Sequence, residues 1–196
     1  MPKIVDHDKQ KEKLAEATLR IIKRDGMEQA TVRNIAKEAN MSVGSLRHYF
    51  STQSELYAFT MNLVSERVNN RISQMDFNGP PLEVMTNVLK EVVPLKPETR
   101  LEMEVWLAFT ARALVDPFLK PLSERVYIEL KEGITRIIDG LLLLNLGKPD
   151  MNKDLEIERL YALVDGLAMH SILHPDKISA EMVELVIAHH LQTLCK

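Results

Sequence analysis

The sequence predicts an all-α protein, with a small three-helix unit at the N-terminus followed by a larger helical domain. Apolar residues recur at three- and four-residue intervals along most of the 196 residues, which is the spacing of amphipathic helices. The nine prolines and seven glycines fall mainly between these segments, where they end helices. No stretch alternates apolar and polar residues between turn dipeptides, so no β-sheet is expected. The domain boundary is predicted between residues 52 and 53, giving domains 1–52 and 53–196.

The first three helices have clear start and stop signals. The first carries a single apolar stripe and ends at Gly26. Thr31 and Ser42 precede the second and third helices, and such side chains accept hydrogen bonds from the free amides of a helix start. Residues 40–42 form the turn between these two helices. The predicted ranges are 8–25, 32–39 and 43–49.

The later helices are longer and are separated by prolines. Thr52 and Glu55 form a capping-box pattern that opens the fourth helix, because the threonine can bond a free amide while the glutamate reaches back. Residues 76–81 are the clearest break in the chain. The predicted ranges are 52–74, 82–93, 98–115, 119–144 (in one or two pieces), 155–173 and 179–194.

Composition indicates an ordinary globular protein with an uneven charge distribution. It is 45% hydrophobic and 27% charged, with a net charge of −3. Residues 1–60 nevertheless carry ten basic and eight acidic side chains, the sign expected of a module that approaches phosphates. The chain start lacks the apolar core of a signal peptide, no apolar run is long enough to span a membrane, and Cys195 is the single cysteine. A cytoplasmic protein with no membrane partner is expected.

Residues 31–50 form the motif that indicates function. Two short helices joined by a turn cross steeply, so that the second can enter the major groove of double-stranded DNA. Ile35, Met41, Leu46 and Phe50 are spaced to form a small core beneath them. Arg47 is suited to a bidentate contact with guanine. The residues of this motif predicted to contact operator DNA are Thr31, Arg33, Ser42, Val43, Gly44, Ser45, Arg47, His48 and Tyr49.

Residues 31–56 resemble the signature of the TetR family of bacterial regulators. The family pattern has a Leu-Tyr-x-His/Tyr-Phe-like run, a gap, a lysine and then a leucine; here Leu46–Phe50 is followed by Gln53 and Leu56. Arg47 stands where the family usually has tyrosine, and Gln53 replaces a phosphate-contacting lysine, so Gln53 joins the predicted DNA contacts. The resemblance implies a homodimer with a C-terminal ligand domain, usually a repressor that a ligand releases from DNA. Residues 163–175 are also similar to the BetI-like subgroup.

The last two helices are predicted to form the dimer interface. Both are apolar on nearly every side, and such a helix must be covered on both faces. A four-helix contact across a two-fold axis satisfies this requirement, whereas the alternative is burial wholly within one chain. The predicted interface residues are Leu160, Leu163, Val164, Leu167, Val183, Val186, Ile187, His190, Leu191 and Leu194.

A site for an unidentified small-molecule effector is predicted in the C-terminal domain. Apolar side chains with a few polar groups among them are typical of a ligand cavity, although they fit a plain core as well. Asp165 stands out because a buried carboxylate needs a partner, either a ligand or a neighbouring chain. The predicted ligand-binding residues are Met85, Leu89, Met103, Trp106, Phe109, Thr110, Arg112, Tyr127, Tyr161, Asp165 and Met169.

Other classes of function have less support in the sequence. There is no nucleophile–base set and no glycine-rich phosphate loop, so no catalytic residue, enzyme activity or cofactor is predicted. His170 and His174 have the spacing of metal ligands, but no carboxylate or cysteine cluster accompanies them, and no metal is predicted. A ligand-independent architectural DNA binder remains the main alternative to a ligand-responsive repressor.

Overall fold

A computed structural model of the protein describes residues 7–196, so the expectation about a leader at the chain start lies outside the described residues. Helices joined by short loops account for most of this range, and the all-α prediction is confirmed. Two 3-10 turns, Met27–Gln29 and Pro117–Leu119, lie between helices. The helices are α1 His7–Asp25, α2 Val32–Glu38, α3 Val43–Arg47, α4 Gln53–Ser73, α5 Pro81–Lys90, α6 Pro97–Ala113, α7 Lys120–Leu143, α8 Lys153–Leu173 and α9 Ala180–Thr193.

The predicted helix starts are formed by the expected side chains. Thr31 Oγ1 accepts from the Asn34 amide (3.2 Å) and Ser42 Oγ from the Ser45 amide (3.0 Å). Each bond satisfies one of the amides that a helix start leaves without an intrahelical partner. Ser179 does the same for α9. The starts of α2, α3 and α9 are therefore determined locally.

The capping box at α4 differs from its prediction in one detail. Thr52 Oγ1 accepts from the Glu55 amide (3.1 Å), as expected. The Glu55 carboxylate reaches back to the amide of Ser51 (2.6 Å), one residue before the threonine. The box therefore fixes the entry of α4 together with the residue that precedes it.

The chain divides into two compact units, and α4 and α6 each contribute to both. The N-unit comprises the chain up to Glu66 together with Glu104–Lys120, and the C-unit comprises Arg67–Met103 and Pro121–Lys196. This division differs from the predicted boundary at residue 52, because contacts within the N-unit include the start of α4 and the end of α6. Ser54 Oγ, for example, donates to an Asp116 carboxylate oxygen (2.5 Å).

The core of the C-unit is built from α5, α7, α8 and α9. It contains six of the ten predicted interface residues, each at most 5% exposed within its own chain, so these six have little surface left for a partner and their place in an interface stays a prediction. Leu163, Leu167, Val186 and His190 are half-buried. The six predicted interface residues that lie in this core are Leu160, Val164, Val183, Ile187, Leu191 and Leu194.

None of the helices in the described range combines the length and the apolar character needed to cross a bilayer.

Candidate DNA interface and effector residues

The turn between α2 and α3 depends on one left-handed residue. Asn40 has φ +54°, a conformation that asparagine adopts more readily than most residues. The next amide, that of Met41, donates to the Ala36 carbonyl oxygen (2.8 Å). The chain thus reverses direction immediately after α2, and α3 begins two residues later.

α3 turns one residue inward and the others outward. Leu46 is fully buried, as is Ile35 of α2, and Phe50 is nearly so. Met41, predicted with them, is only half-buried. The outward residues are Val43, Gly44, Ser45, Arg47 and His48, while Tyr49 is half-buried. The helix predicted to read DNA therefore displays the predicted side chains at the surface.

A concave surface lies between the start of α1 and α3. Lys11 and Lys13 are exposed on its α1 side, facing Ser45 and His48 across it. These lysines were not predicted as site residues, because the apolar stripe of α1 shows which face is buried but not which end lies near α3. The residues that line this surface are Gln10, Lys11, Lys13, Asn40, Met41, Ser42, Ser45, His48 and Tyr49.

The arginines of the N-unit fall into two groups. Arg20 and Arg24 pair with Glu38 (3.0 and 3.1 Å), and their hydrogen bonds hold the pKa of that carboxyl below its usual value. Arg33 and Arg47 are exposed and have no ion-pair partner among residues 7–196. Their charge is therefore not neutralised by a neighbour and is available to an anion such as DNA phosphate.

Gln53 supports the backbone ahead of α2. Its Nε2 donates to the carbonyl oxygen of Ala30 (3.0 Å), next to the residue that caps α2. Thr31 is half-buried at the same place. The phosphate contact predicted for Gln53 stays a prediction, since this bond occupies one of its two amide hydrogens and leaves the other.

The predicted effector residues fall in both compact units. Trp106, Phe109, Thr110 and Arg112 belong to the N-unit, where Phe109 is buried and Arg112 is exposed beside Asp116 (3.6 Å). Met85, Leu89 and Met103 belong to the C-unit and are buried. Met85 and Leu89 are part of its hydrophobic core, in line with the alternative that the sequence left open.

Within the C-unit, α7 and α8 bring several of the remaining predicted residues together. The rings of Tyr127 and Tyr161 lie 5.1 Å apart at 45°. Asp165 follows Tyr161 by one helical turn, and Met169 follows Asp165 by another. Burial raises the pKa of Asp165 to about 6. Lys131 lies beside the tyrosines, with its Nζ 3.0 Å from the Tyr127 hydroxyl.

The histidines do not assemble a metal site in the part of the chain that the structure describes. The His170 and His174 rings stack 6.2 Å apart, but no third histidine, cysteine or carboxylate joins a described cluster of this kind.

Two family models match the chain and together cover most of it. The model described as bacterial regulatory proteins of the tetR family matches residues 14–67, which include α2, α3 and most of α4. The model described as the C-terminal part of BetI-type transcriptional repressors matches residues 81–196.

Individual relatives give the same result. The HTH-type transcriptional regulator PksA of Bacillus subtilis (strain 168) is 45% identical over 196 residues, covering 100% of this chain and 94% of the relative. A transcriptional regulator from Rhodococcus sp. Rha1 has a similar crystal structure (TM-score 0.79, 27% identity, covering 94% of this chain and 95% of the other). A regulator from Saccharomonospora viridis, crystallised with choline, has the same fold (TM-score 0.80, 18% identity, covering 94% and 96%).

Proposed function

Because this chain belongs to the TetR family of bacterial regulators, we propose that it is a homodimeric repressor that a small molecule releases from operator DNA. The family membership makes it a helix-turn-helix transcriptional regulator and not an enzyme. Repression, release by a ligand, the dimer and action in the cytoplasm, where operator DNA lies, are the parts that we propose.

The observation that carries the DNA-binding part of the proposal is the orientation of α3. Leu46 anchors the helix to the N-unit core, while Ser45, Arg47 and His48 point away from it. Lys11 and Lys13 flank the same surface, where they would meet the phosphate backbone while α3 meets base edges.

The dimer is supported by the outer faces of α8 and α9. Leu173, Met182 and Leu185 are each more than half exposed, although both helices already bury an apolar face in the C-unit core. At Gly166 on α8, no neighbouring side chain lies within 4 Å of where a Cβ would stand. Exposed apolar area of this kind is typical of a surface that another chain covers. The interface is therefore assigned to these outward residues, in place of the buried ones.

Release by a ligand requires that the ligand bind one state of the protein more tightly than the other. α4 continues from the C-unit into the N-unit, so a shift of α4 on ligand binding would reach the DNA-reading helices along the chain itself. The neighbouring structure from Saccharomonospora viridis binds choline, which supports a small-molecule site in a protein of this fold.

The test begins with operator sequences selected from a random library by the purified protein. Arg47→Ala should lower the affinity for the selected sequence about fivefold or more relative to random DNA, because a bidentate base contact contributes roughly 1–3 kcal/mol. Electrophoretic mobility shifts measure both affinities. Arg136→Ala is the matched control, since Arg136 is an exposed C-unit arginine with only a long (3.9 Å) ion pair. If Arg47→Ala bound the selected DNA like the wild type, the role of Arg47 would be refuted.

A further inference from the structure

Asp165 is a half-buried carboxylate with no protein partner among residues 7–196. It lies on α8, and within that range it has neither a hydrogen bond nor an ion pair. Burying a charged group without a partner is unfavourable, so such groups usually have one in the functional state. The raised pKa of this carboxyl has burial as its cause, which agrees with the missing partner.

The groups next to Asp165 can complete a site for a small molecule. The hydroxyl of Tyr161 has no hydrogen bond to any described residue, and burial, followed by the charge of Asp165, raises its pKa. Met169 is partly exposed one turn further along α8 and offers an apolar surface. An acceptor, a hydroxyl and apolar walls thus lie together on one side of α8.

The faces of the two tyrosine rings are not fully open to a ligand cation. Tyr127 and Tyr161 contact each other, and the Lys131 ammonium stands over the Tyr127 ring, 5.4 Å from its centroid. Lys131 also donates to Glu158 (2.5 Å) and is therefore neutralised there. A ligand cation would find the ring faces partly taken, and the free interaction is a hydrogen bond to Asp165.

We propose that the effector is a primary or secondary organic amine whose protonated nitrogen donates hydrogen bonds to the Asp165 carboxylate. The Tyr161 hydroxyl accepts from the same nitrogen, and the apolar body of the amine packs on Tyr127 and Met169. A quaternary ammonium has no N–H to donate and binds more weakly. This inference rests on the proposed function for the existence of an effector and adds its chemical class.

The experiment uses isothermal titration calorimetry on the full chain at pH 7.5, where Asp165 is ionised. The probes are 2-phenylethylamine and n-octylamine, each with its N,N,N-trimethyl analogue and the alcohol that replaces nitrogen by oxygen. At least one amine should bind tenfold or more tightly than its two analogues, since hydrogen bonds to a charged group are among the stronger ones. Asp165→Asn should lose at least tenfold in affinity for that amine, whereas Asp176→Asn, an exposed loop aspartate, should not.

Several results overturn the inference. If an amine and its trimethyl analogue bind equally well, N–H hydrogen bonds to Asp165 are not needed for binding. If neither amine binds, the proposal that the effector is an organic amine is refuted. If Asp165→Asn instead dissociates the dimer in sedimentation velocity, Asp165 belongs to an interface between chains. The same preparations are assayed on operator DNA: intact operator binding without amine binding refutes only this inference. Amine binding that leaves the operator affinity unchanged refutes release by a ligand and leaves the site intact.

Discussion

At the scale of one residue, the ionised side chain of Asp165 lowers the stability of the folded chain at neutral pH. An aspartate in an unfolded chain has a pKa of roughly 3.9. In the folded chain, burial raises the pKa of Asp165 to about 6, so the folded state binds its proton more tightly. The Asp165 carboxyl therefore contributes most to the free energy of unfolding at pH values below 4, and this contribution is lost as the pH rises through 6. Binding sites often keep groups that cost stability, because the same groups are needed to bind a ligand, and Asp165 fits this pattern.

Asp165→Asn should consequently make the protein more stable at neutral pH. The amide keeps the shape without the charge, and we expect a gain of about 1–2 kcal/mol at pH 7.5 after allowance for solvent screening. Below pH 4 the difference should vanish, because the wild-type carboxyl is then protonated in both the folded and the unfolded state. Urea unfolding at pH 7.5 and at about pH 3, where an unfolded aspartate is mostly protonated, measures both values. An equal difference at the two pH values would show that the charge is not the cause.

Residues that act on their own neighbourhood in the chain could be predicted from the sequence. Thr31, Ser42 and Ser179 each bond an amide three residues ahead, so sequence spacing alone identifies the cap. The exposure of Arg47 follows similarly from the apolar spacing that turns Leu46 inward. The bond from Gln53 to Ala30 spans 23 residues, and no local pattern indicates it.

At the scale of whole helices, the sequence predicted length better than orientation. α8 is apolar or small around most of its circumference, so its periodicity does not distinguish the face that its own chain covers. That choice depends on where α5, α7 and α9 pack, which is a long-range property. The sequence therefore placed Leu160 and Val164 at an interface, whereas both are buried in the core of their own chain. The extent of α8 was predicted to within two residues at its start.

The anchoring of α4 is another long-range feature that the sequence did not reveal. In the C-unit, Arg71 of α4 forms a two-pronged hydrogen bond with Glu102 of α6 (2.6 and 2.8 Å). It also donates to Glu91 at the end of α5 (2.7 Å). Glu102 is only 2% exposed, so this carboxylate depends on Arg71 for compensation. The hydrogen bonds that Arg71 donates to Glu102 and to Glu91 hold its pKa above its usual value.

Arg71→Met should destabilise the C-unit by about 3 kcal/mol. Removing one member of a buried ion pair leaves the other charge without a partner, and that loss exceeds the value of the pair itself. Arg136→Met is the matched control: its ion pair is long and its side chain is 73% exposed, so a change within about 0.5 kcal/mol is expected. Thermal unfolding followed by circular dichroism compares the two variants. Equal small effects would mean that Glu102 finds compensation elsewhere.

At the scale of the whole molecule, the small size of the reading surface favours the proposed dimer. α3 spans only Val43–Arg47 and presents few side chains to DNA. Helix-turn-helix proteins reach useful affinity by placing two such helices in successive major grooves, with the symmetry of the operator matching that of the dimer. Linking two weak contacts raises the overall affinity by roughly 100-fold or more without any new contact. In the proposed dimer, operator binding would therefore depend on the contact between copies at the α8–α9 surface.

Leu185→Glu should separate these two copies and thereby weaken operator binding. Leu185 is 56% exposed on α9, on the side away from the C-unit core, so a glutamate there leaves the core intact. In a dimer the same change buries a charge in an apolar interface. Sedimentation velocity should then give a species near 22.4 kDa instead of one of twice that mass. Mobility shifts should show about 100-fold weaker operator binding, as expected when the second half-site contact is lost.

Leu143→Glu provides the comparison that assigns this effect to the α8–α9 face. Leu143 ends α7 and is 86% exposed, so it receives the same charge on a side chain outside the proposed interface. This variant should remain dimeric and bind the operator like the wild type. A dimer that survives Leu185→Glu but dissociates with Leu143→Glu would move the interface to the end of α7. A monomeric wild type that still binds a two-fold symmetric operator tightly would contradict the requirement for a preformed dimer.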